Sequence, residues 1–313
     1  MPGILPQPKG PAGRVGFFFM GEIAVDEALV RDLLLQQHPD LAGLEIREVN
    51  GGWDNQMWRL GEEFAVRIPR TPRAPELLRI EQQWLPSLAE ELPLPVPVPV
   101  RSGEPSERFP KTWHVVRWVS GEPADRTPIS SAGSAETLAE FLKALHQKAP
   151  ADAPVSPRST RLSDHVDGLE QWFPYADASE AALRRTWEAA VAAPVWQGAP
   201  VWLHGDLHPA NVVVADGALS GVIDFGELCA GDPATDLAAA WVLLPADSAN
   251  RFFDAYGDVD DAMIQRSLGW AVAKSLALLS IGRAGDRGLP GGKKTWGPAG
   301  RAAIARVLDH ARS

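Results

Sequence analysis

The residues best suited to chemistry lie in one stretch of the chain, HGDLHPANVVVADGALSGVIDFGE, residues 204–227. It holds two histidines, three aspartates, one asparagine and one glutamate. Three kinds of enzyme use such side chains: metal-dependent hydrolases, hydrolases with a serine nucleophile, and phosphoryl-transfer enzymes. The order and spacing of the residues distinguish between them.

Hydrolysis accounts for few of these residues. His204, Asp206 and His208 alternate along the chain, and Gly205 and Pro209 disfavour the helix on which two zinc-binding histidines share a face. No second cluster of His or Cys elsewhere in the sequence completes a coordination sphere. The serine in GALSGV lacks the G-x-S-x-G spacing of a nucleophile elbow. The sequence therefore disfavours both zinc and serine hydrolases.

Phosphoryl transfer accounts for more of them. It needs an aspartate that orients and deprotonates a hydroxyl group, together with an amide oxygen and a carboxylate that hold Mg²⁺. Asp206 and Asn211 share one loop, and Asp224 follows a predicted hairpin in D-F-G. The order H-x-D-x-x-x-x-N, hairpin, D-F-G is the layout of kinase catalytic machinery. It predicts Asp206 as the catalytic residue and Asn211 and Asp224 as Mg²⁺ ligands.

HGDLHPAN followed by VIDFGELCAGDPATDLA resembles the aminoglycoside phosphotransferase and small-molecule antibiotic kinase family, over roughly residues 45–310. The resemblance implies an α+β, protein-kinase-like bilobal fold with a small β-rich N-lobe and a larger α-helical C-lobe. It implies transfer of the γ-phosphoryl group of ATP or GTP, with Mg²⁺, to a hydroxyl of a small molecule. The first candidate for this acceptor is an antibiotic such as an aminoglycoside. It also implies that His204 and Asp236 support the H-G-D loop.

The resemblance places the nucleotide contacts upstream. EFAVRIPR matches the strand that carries a phosphate-binding lysine in protein kinases. The resemblance therefore implies that Arg67 binds phosphate here, with Glu81 of the next helix as its ion-pair partner. NGGWDNQ lies where a nucleotide-positioning loop belongs, and the backbone of HVVRWVSGE would face the nucleobase without selecting ATP or GTP. The implied nucleotide-binding residues are Gly52, Asp54, Asn55, Arg67, Glu81, Val116 and Val119.

The periodicity of the N-terminal part predicts the elements that position these residues. Residues 46–70 are typical of three strands with a tight turn at Gly61. The helix that follows carries Leu77, Ile80, Trp84 and Leu88 on one stripe. The proline-rich LPLPVPVPV, residues 92–100, ends this part, and KTWHVVRWVSGE predicts a further strand.

From Ser134 onward the sequence is mostly helical. Ser134 is the predicted N-cap of a helix in SAETLAEFLKALHQ. One hairpin interrupts the helices, with strands at 212–214 and 221–225 around a turn at Asp216-Gly217. The predicted domains are a disordered leader at residues 1–20, a nucleotide-binding lobe at 21–119 and a catalytic and substrate-binding lobe at 120–313.

Charge and cysteine content limit the partners and the compartment. The net charge of −10 argues against nucleic acid as a partner. Residues 201–262 contain eleven Asp or Glu and one Arg, which suits metal ions or a cationic acceptor. The single cysteine, Cys229, excludes an internal disulfide and favours the cytoplasm. No uncharged run is long enough to span a membrane.

The residues leave the acceptor open. Trp172 and Tyr175 in QWFPYADASE could line an apolar pocket for a macrolide, a nucleoside or another natural product, with Glu227 as a further candidate contact. A metabolic sugar or amino alcohol would fit the same machinery. A function of another class is a pseudokinase that binds nucleotide without turnover. The missing strand lysine favours that alternative, whereas Asp206 together with Asn211 and Asp224 disfavours it.

Overall fold

The computed structural model describes residues 24–49 and 52–311. The predicted leader, residues 1–20, lies outside the described residues. The described chain divides into two compact units. The first, called the β-rich unit, contains the residues up to Glu90 together with Val96–Val119; the second, the helical unit, contains Glu91–Pro95 and everything from Ser120 onward. Pro95 groups with the later unit because its carbonyl oxygen accepts a hydrogen bond from the Val222 N–H at 3.1 Å.

The β-rich unit is a five-stranded antiparallel sheet with two helices. The strand order is β1-β2-β3-β5-β4, and the three strands predicted within residues 46–70 are its first three members. The elements are α1 (Glu27–Gln37), β1 (Ile46–Val49), β2 (Asn55–Leu60), β3 (Phe64–Pro69), α2 (Ala74–Ala89), β4 (Pro99–Gly103) and β5 (Trp113–Arg117).

Two of these elements were not predicted. Helix α1 begins where the Asp26 carboxylate accepts a hydrogen bond from the Leu29 N–H at 2.9 Å, and its buried face repeats at helical spacing. Strand β4 lies at the edge of the sheet and starts at Pro99, inside the proline-rich segment. Proline is tolerated there because an edge strand leaves one side of its backbone unpaired.

The apolar stripe identified in the sequence of α2 is not the most buried face of the helix. Ile80 is buried, but Leu77, Trp84 and Leu88 are only half-buried. The most deeply buried face contains Ala74, Leu78, Glu81 and Leu85, at successive spacings of four, three and four residues. The central residue of this face is the buried Glu81. Because apolar residues alone defined the stripe, the sequence pattern indicated the neighbouring face instead.

The helical unit contains the remaining elements. Its small strands carry the motif stretch, and its helices α5, α6 and α10 pack against the 26-residue helix α9. No helix among the described residues is long and apolar enough to cross a membrane. The elements are β6 (Glu122–Pro123), α3 (Ser134–Leu145), α4 (Val166–Glu170), α5 (Glu180–Ala192), β7 (Val201–Leu203), β8 (Val212–Ala215), β9 (Ala218–Val222), β10 (Cys229–Gly231), α6 (Ala234–Leu237), α7 (Ala239–Val242), α8 (Ala249–Tyr256), α9 (Asp261–Asp286) and α10 (Trp296–His310).

The hairpin forms around the predicted turn, but its second strand lies earlier than predicted. Asp216 and Gly217 adopt φ angles of 50° and 77°, and Ala215 pairs directly with Ala218. Two residues with positive φ make the tight turn that matches strand twist, so pairing resumes at once. Strand β9 therefore ends at Val222, and Asp224 lies beyond the strand rather than within it.

Ser134 does not have the predicted role of an N-cap. The N-cap of α3 is Gly133, and Ser134 is the first residue of the helix. The Ser134 Oγ instead accepts a hydrogen bond from the Leu219 N–H at 3.0 Å. The hydroxyl thus links α3 to the hairpin that precedes the D-F-G turn.

Candidate active site

The H-G-D loop follows β7 and is held by a buried carboxylate. The Asp236 carboxylate accepts hydrogen bonds from the N–H groups of His204 at 2.6 Å and Gly205 at 2.9 Å. Gly205 has a φ of +79°, and a Cβ atom there would lie 2.8 Å from the carbonyl oxygen of Glu227. Only glycine satisfies both the backbone angle and the close approach. The structure thus makes the contact between Asp236 and the loop that the resemblance implies.

His204 connects the loop to the D-F-G segment. Its Nδ1 accepts a hydrogen bond from the Asp206 N–H at 3.2 Å, and its Nε2–H donates to the Ile223 carbonyl oxygen at 3.0 Å. The Ile223 N–H donates to the Asn211 carbonyl oxygen at 2.9 Å. Burial lowers the pKa of His204, which is consistent with the neutral ring that these two bonds require. One backbone position, Ile223, therefore joins the segments that carry Asp206, Asn211 and Asp224.

The Asp206 carboxylate lies among basic side chains. Its Oδ1 is 3.2 Å from Nη2 of Arg158, and its Oδ2 is 3.7 Å from Nε2 of His208. Burial by itself would raise the pKa of Asp206, but Arg158, His208 and Lys274 outweigh it and hold the pKa well below its ordinary value. Asp206 is therefore ionised at neutral pH and accepts hydrogen bonds without first losing a proton.

Two of these cations were missed by the sequence analysis. Lys274, from the middle of α9, is 1% exposed, and its Nζ donates to the carbonyl oxygens of Leu207 at 3.2 Å and Gly205 at 3.4 Å. Burial lowers its pKa to about 8, although Asp236 and Asp206 oppose the shift. A lysine inside an apolar helix was the available signal. Arg158 lies in a short 3₁₀ turn, Pro157–Ser159, and nothing in its local sequence marks it.

The two predicted Mg²⁺ ligands lie on adjacent backbone. The Asn211 Nδ2 donates to the Asp206 carbonyl oxygen at 2.9 Å, which leaves its Oδ1 as the atom for a metal. Asp224 is exposed and has left-handed backbone angles, φ 65° and ψ 70°, an uncommon conformation that is concentrated at functional sites. The described residues contain no group of three or more His, Cys, Asp or Glu that could hold a metal. One amide and one carboxylate suit Mg²⁺, which takes its remaining oxygens from phosphate and water.

The loop between β1 and β2 depends on a glycine and a neutralised aspartate. Gly52 has a φ of +67°, and a Cβ atom there would overlap the Asn55 carbonyl oxygen, so a side chain would not fit. The Asp54 carboxylate receives two hydrogen bonds from Arg73, at 2.9 and 2.6 Å, and a third from Thr71 at 2.5 Å. Asp54 is therefore committed to the turn before α2, and any contact of this loop with an anion would come from its backbone.

Arg67 and Glu81 form the expected ion pair, which joins β3 to α2. Their side chains are 6% and 0% exposed, so the charges are almost fully removed from water. His114 lies opposite Arg67 in the register of β3 and β5. Burial, reinforced by the charge of Arg67, lowers the pKa of His114 to about 4. His114 is thus neutral beside the ion pair at physiological pH.

Val116 and Val119, the two valines predicted to contact the nucleobase, differ in their backbone contacts. Val116 pairs with Ala65 on one side and Pro99 on the other, so its backbone is committed to the sheet. Val119 lies beyond the end of β5, and its backbone makes no hydrogen bond to another described residue. The structure therefore disfavours Val116 as a nucleobase contact and leaves Val119 as the candidate.

The candidate acceptor residues lie in different places. Tyr175 is half-buried on the 3₁₀ segment Phe173–Ser179, where the Arg283 guanidinium lies 4.8 Å from its ring centroid. Trp172 immediately precedes that segment and is also half-buried. Glu227 ends the turn after Asp224, and its carbonyl oxygen lies against Gly205. Only Glu227 of the three is linked to the H-G-D loop by a contact between described residues.

Comparisons with known proteins identify the family and the fold of the chain. The sequence profile of the phosphotransferase enzyme family matches residues 45–274. A GDP complex of wild-type aminoglycoside 2'-phosphotransferase-IIIa superposes with a TM-score of 0.67 at 20% identity, covering 92% of this chain and 100% of that one. Macrolide 2'-phosphotransferase MphH from Brachybacterium faecium gives a TM-score of 0.55 at 23% identity, covering 88% and 97%.

A search of curated proteins found no match to the chain. The likeness to solved phosphotransferases confirms the predicted fold class, with a β-rich part followed by a helical part. The family profile spans both the Arg67 strand and the two catalytic motifs. The chain therefore belongs to the phosphotransferase enzyme family, as the H-G-D and D-F-G motifs predicted.

Proposed function

We propose that this small-molecule kinase transfers the γ-phosphoryl group of ATP or GTP, with Mg²⁺, to a hydroxyl group of an antibiotic, with an aminoglycoside as the first candidate. The observation that carries the proposal is the backbone link at Ile223, which joins the H-G-D loop and the D-F-G turn. It brings the segments of Asp206, Asn211 and Asp224 together. Phosphoryl transfer needs these three groups in one place.

In the proposed reaction, Asp206 orients the acceptor hydroxyl and accepts its proton. The acceptor oxygen forms a bond to the γ-phosphorus, the bond from that phosphorus to the β,γ-bridging oxygen breaks, and a nucleoside diphosphate leaves. Because its pKa is held low, Asp206 is a weak base, and the proton moves late. Its main contribution is then to position the hydroxyl, in keeping with a loose transition state.

Mg²⁺, when bound by Asn211 Oδ1 and the Asp224 carboxylate, would neutralise charge on the phosphate oxygens. The Ile223 N–H is bonded to the Asn211 carbonyl oxygen, and Asp224 follows Ile223 directly. The left-handed backbone of Asp224 then turns the chain away from the direction of β9. Asn211 is held by its own amide donor on the Asp206 backbone. The metal ligands and the catalytic residue thus share one framework, and displacement of any of them disturbs the others.

On the β-rich unit, the proposed nucleotide contacts are fewer than the sequence suggested. Arg67, held by its ion pair with Glu81, replaces the phosphate-binding lysine of protein kinases, since a guanidinium can pair with phosphate oxygens. The backbone beside Gly52 and the backbone of Val119 are the remaining contacts. The Asp54 side chain takes no part, because Arg73 neutralises it.

Different observations support two classes of acceptor. The net charge of −10 and the aminoglycoside phosphotransferases among the similar structures favour an aminoglycoside, which is polycationic. The half-buried aromatic residues Trp172 and Tyr175 favour a larger and more apolar acceptor, and the likeness in fold to MphH suggests a macrolide. The macrolide is therefore the second candidate.

The test is a transfer assay. The protein is incubated with γ-labelled ATP or GTP, Mg²⁺ and a panel of aminoglycosides and macrolides, and the products are identified by mass. One acceptor should gain a single phosphate, and Asp206→Ala should abolish the product. Asp254→Ala is the control, because Asp254 is exposed on α8 and belongs to neither motif. Stabilisation by nucleotide without transfer to any acceptor would favour the pseudokinase alternative.

A further inference from the structure

Arg158 is a buried residue whose backbone is fixed from two sides. Its N–H donates to the Ser156 Oγ at 3.0 Å, within its own 3₁₀ turn. Its carbonyl oxygen accepts a hydrogen bond from the Thr235 Oγ1 at 3.1 Å. Thr235 lies in α6 beside Asp236, which holds the backbone of the H-G-D loop. Arg158 and the catalytic loop are therefore anchored to the same short helix.

The Arg158 side chain lies beside Gly205 and ends at Asp206. A Cβ atom on Gly205 would be 3.3 Å from the Arg158 Cβ. The Arg158 Nη2 is 3.2 Å from the Asp206 Oδ1, and among the described residues Asp206 is its only ion-pair partner. Both Nη atoms and Oδ1 are covered, yet none makes a hydrogen bond to another described residue. Such a pair is a weak source of stability, because the cost of desolvating two charges is not offset by good hydrogen bonds.

The two oxygens of Asp206 are in different surroundings. Oδ1 is covered and lies against Arg158, which is only 3% exposed. The Asp206 side chain as a whole is 14% exposed, and its other oxygen, Oδ2, lies 3.7 Å from Nε2 of His208. Arg158 thus limits rotation of the carboxylate by attracting one particular oxygen. Because Oδ1 is covered, we assign Oδ2 to the hydroxyl.

We propose that Arg158 is a positioning residue that anchors Oδ1 of Asp206 so that Oδ2 faces the acceptor hydroxyl. The inference rests on the proposed function, because it needs Asp206 to receive that hydroxyl. Arg158 acts through Asp206, since its own donor atoms are covered. A residue of this kind affects the orientation of the reacting group more than the binding of either substrate.

The experiment compares Arg158→Met and Arg158→Lys with the wild-type protein, using the acceptor found in the transfer assay. Arg158→Met should lower kcat about 100-fold, the usual cost of a misplaced reacting group, while KM for nucleotide and acceptor changes little. Arg158→Lys should recover part of the lost kcat. An ammonium group restores the charge but not the fixed, planar geometry of the guanidinium.

The matched control is Arg266→Met. Arg266 is also buried and paired with an aspartate, but its donors are used: Nε donates to the Asp232 Oδ2 at 2.6 Å and Nη1 to the Pro194 carbonyl oxygen at 2.7 Å. Asp232 belongs to neither catalytic motif. The control should lower the melting temperature and leave kcat near the wild-type value at temperatures where the protein is folded.

The outcomes separate the two proposals. If the wild-type protein transfers phosphate to no acceptor, the proposed function fails. If the wild-type protein is active and Arg158→Met keeps its kcat, the positioning role is overturned. Equal loss of kcat in Arg158→Met and Arg266→Met, or a loss confined to KM, overturns it as well. If Arg158→Met does not fold, Arg158→Lys decides, because a wild-type kcat in that variant contradicts the proposal.

Discussion

Asp224 illustrates how backbone and chemistry combine at a single residue. Its left-handed conformation is costly for most side chains but accessible to Asp and Asn. Asp224→Asn therefore removes the carboxylate without straining the turn, which Asp224→Ala would do. The substitution separates the role in metal binding from the role in the fold.

We expect Asp224→Asn to lower kcat at least about 100-fold, because it removes a charged group on which phosphoryl transfer relies. The melting temperature should stay near the wild-type value. The measurement is kcat over a series of Mg²⁺ concentrations. Asp216→Asn is the matched control: Asp216 is an exposed aspartate with a φ of 50°, but in the hairpin turn. Wild-type kcat in Asp224→Asn at low Mg²⁺ would contradict the assignment.

His114 gives a prediction for the pH dependence of stability. Its pKa in the folded protein is lowered to about 4 by burial and then by Arg67, below the ordinary value of 6.5. Between these pH values the unfolded chain binds a proton that the folded protein does not. The unfolding free energy therefore falls as pH drops from 6.5 towards 4. At pH 5, His114 lowers the unfolding free energy by about 2 kcal/mol relative to neutral pH.

The test is urea unfolding at pH 7 and pH 5 for wild type and His114→Leu. Neither ring nitrogen of His114 has a hydrogen-bond partner among the described residues, so leucine removes no such bond. The variant should lose less stability than wild type on acidification. An equal loss in both proteins would show that His114 is protonated in the fold or that other groups dominate.

At the scale of elements, the Arg67–Glu81 pair joins a strand to a helix, and its structural and chemical roles can be separated. Arg67→Met leaves Glu81 buried without this partner, so we expect the unfolding free energy to fall by about 3–5 kcal/mol. The double variant Arg67→Met, Glu81→Leu should recover much of the stability while nucleotide affinity stays reduced. Urea unfolding and nucleotide titration measure the two effects.

The control is the other ion pair of α2, Arg79–Glu76. Its side chains are 58% and 60% exposed, so the pair is worth little in water. Arg79→Met should change the unfolding free energy by less than about 1 kcal/mol. If the double variant binds nucleotide as tightly as wild type, Arg67 does not replace the usual lysine.

The elements differ in how well local sequence predicts them. Strands β1 to β3 and the hairpin follow from turns that require glycine or positive φ, and these signals are local. The buried face of α2 was missed because its central residue is Glu81, whose burial depends on an arginine from another element. Edge strand β4 was hidden by prolines that only an edge position tolerates. Long-range pairing, rather than propensity, decided these cases.

At the scale of the whole molecule, the motif residues and the supports His204 and Asp236 were predictable, whereas the buried cations Arg158 and Lys274 were not. Asp206, Asn211 and Asp224 have fixed spacing in the chain, so one sequence reveals them. Arg158 lies 48 positions before Asp206, and Lys274 lies 68 positions after it. No local sequence pattern connects positions so far apart, although both residues lower the pKa of Asp206.

The acidic composition of residues 201–262 is also less specific than it seemed. Asp236 holds backbone N–H groups, Asp232 pairs with Arg266, and Asp260 caps α9 by accepting a hydrogen bond from the Met263 N–H at 2.7 Å. These carboxylates support the fold. An aminoglycoside preference therefore relies on the net charge of −10 and on the similar structures more than on a local acidic surface.

Salt dependence can test that preference directly. A polycationic acceptor is drawn to an anionic protein over distances that salt shortens, from about 30 Å at 0.01 M to about 8 Å at 0.15 M. If aminoglycosides are the acceptors, kcat/KM should fall several-fold over this range, mainly through KM. A macrolide carries little charge, so its kcat/KM should change much less. Nucleotide is kept saturating at each salt concentration, so that the salt dependence of nucleotide binding does not contribute. Aminoglycoside turnover that is insensitive to salt would contradict electrostatic attraction and favour the apolar acceptor suggested by Trp172 and Tyr175.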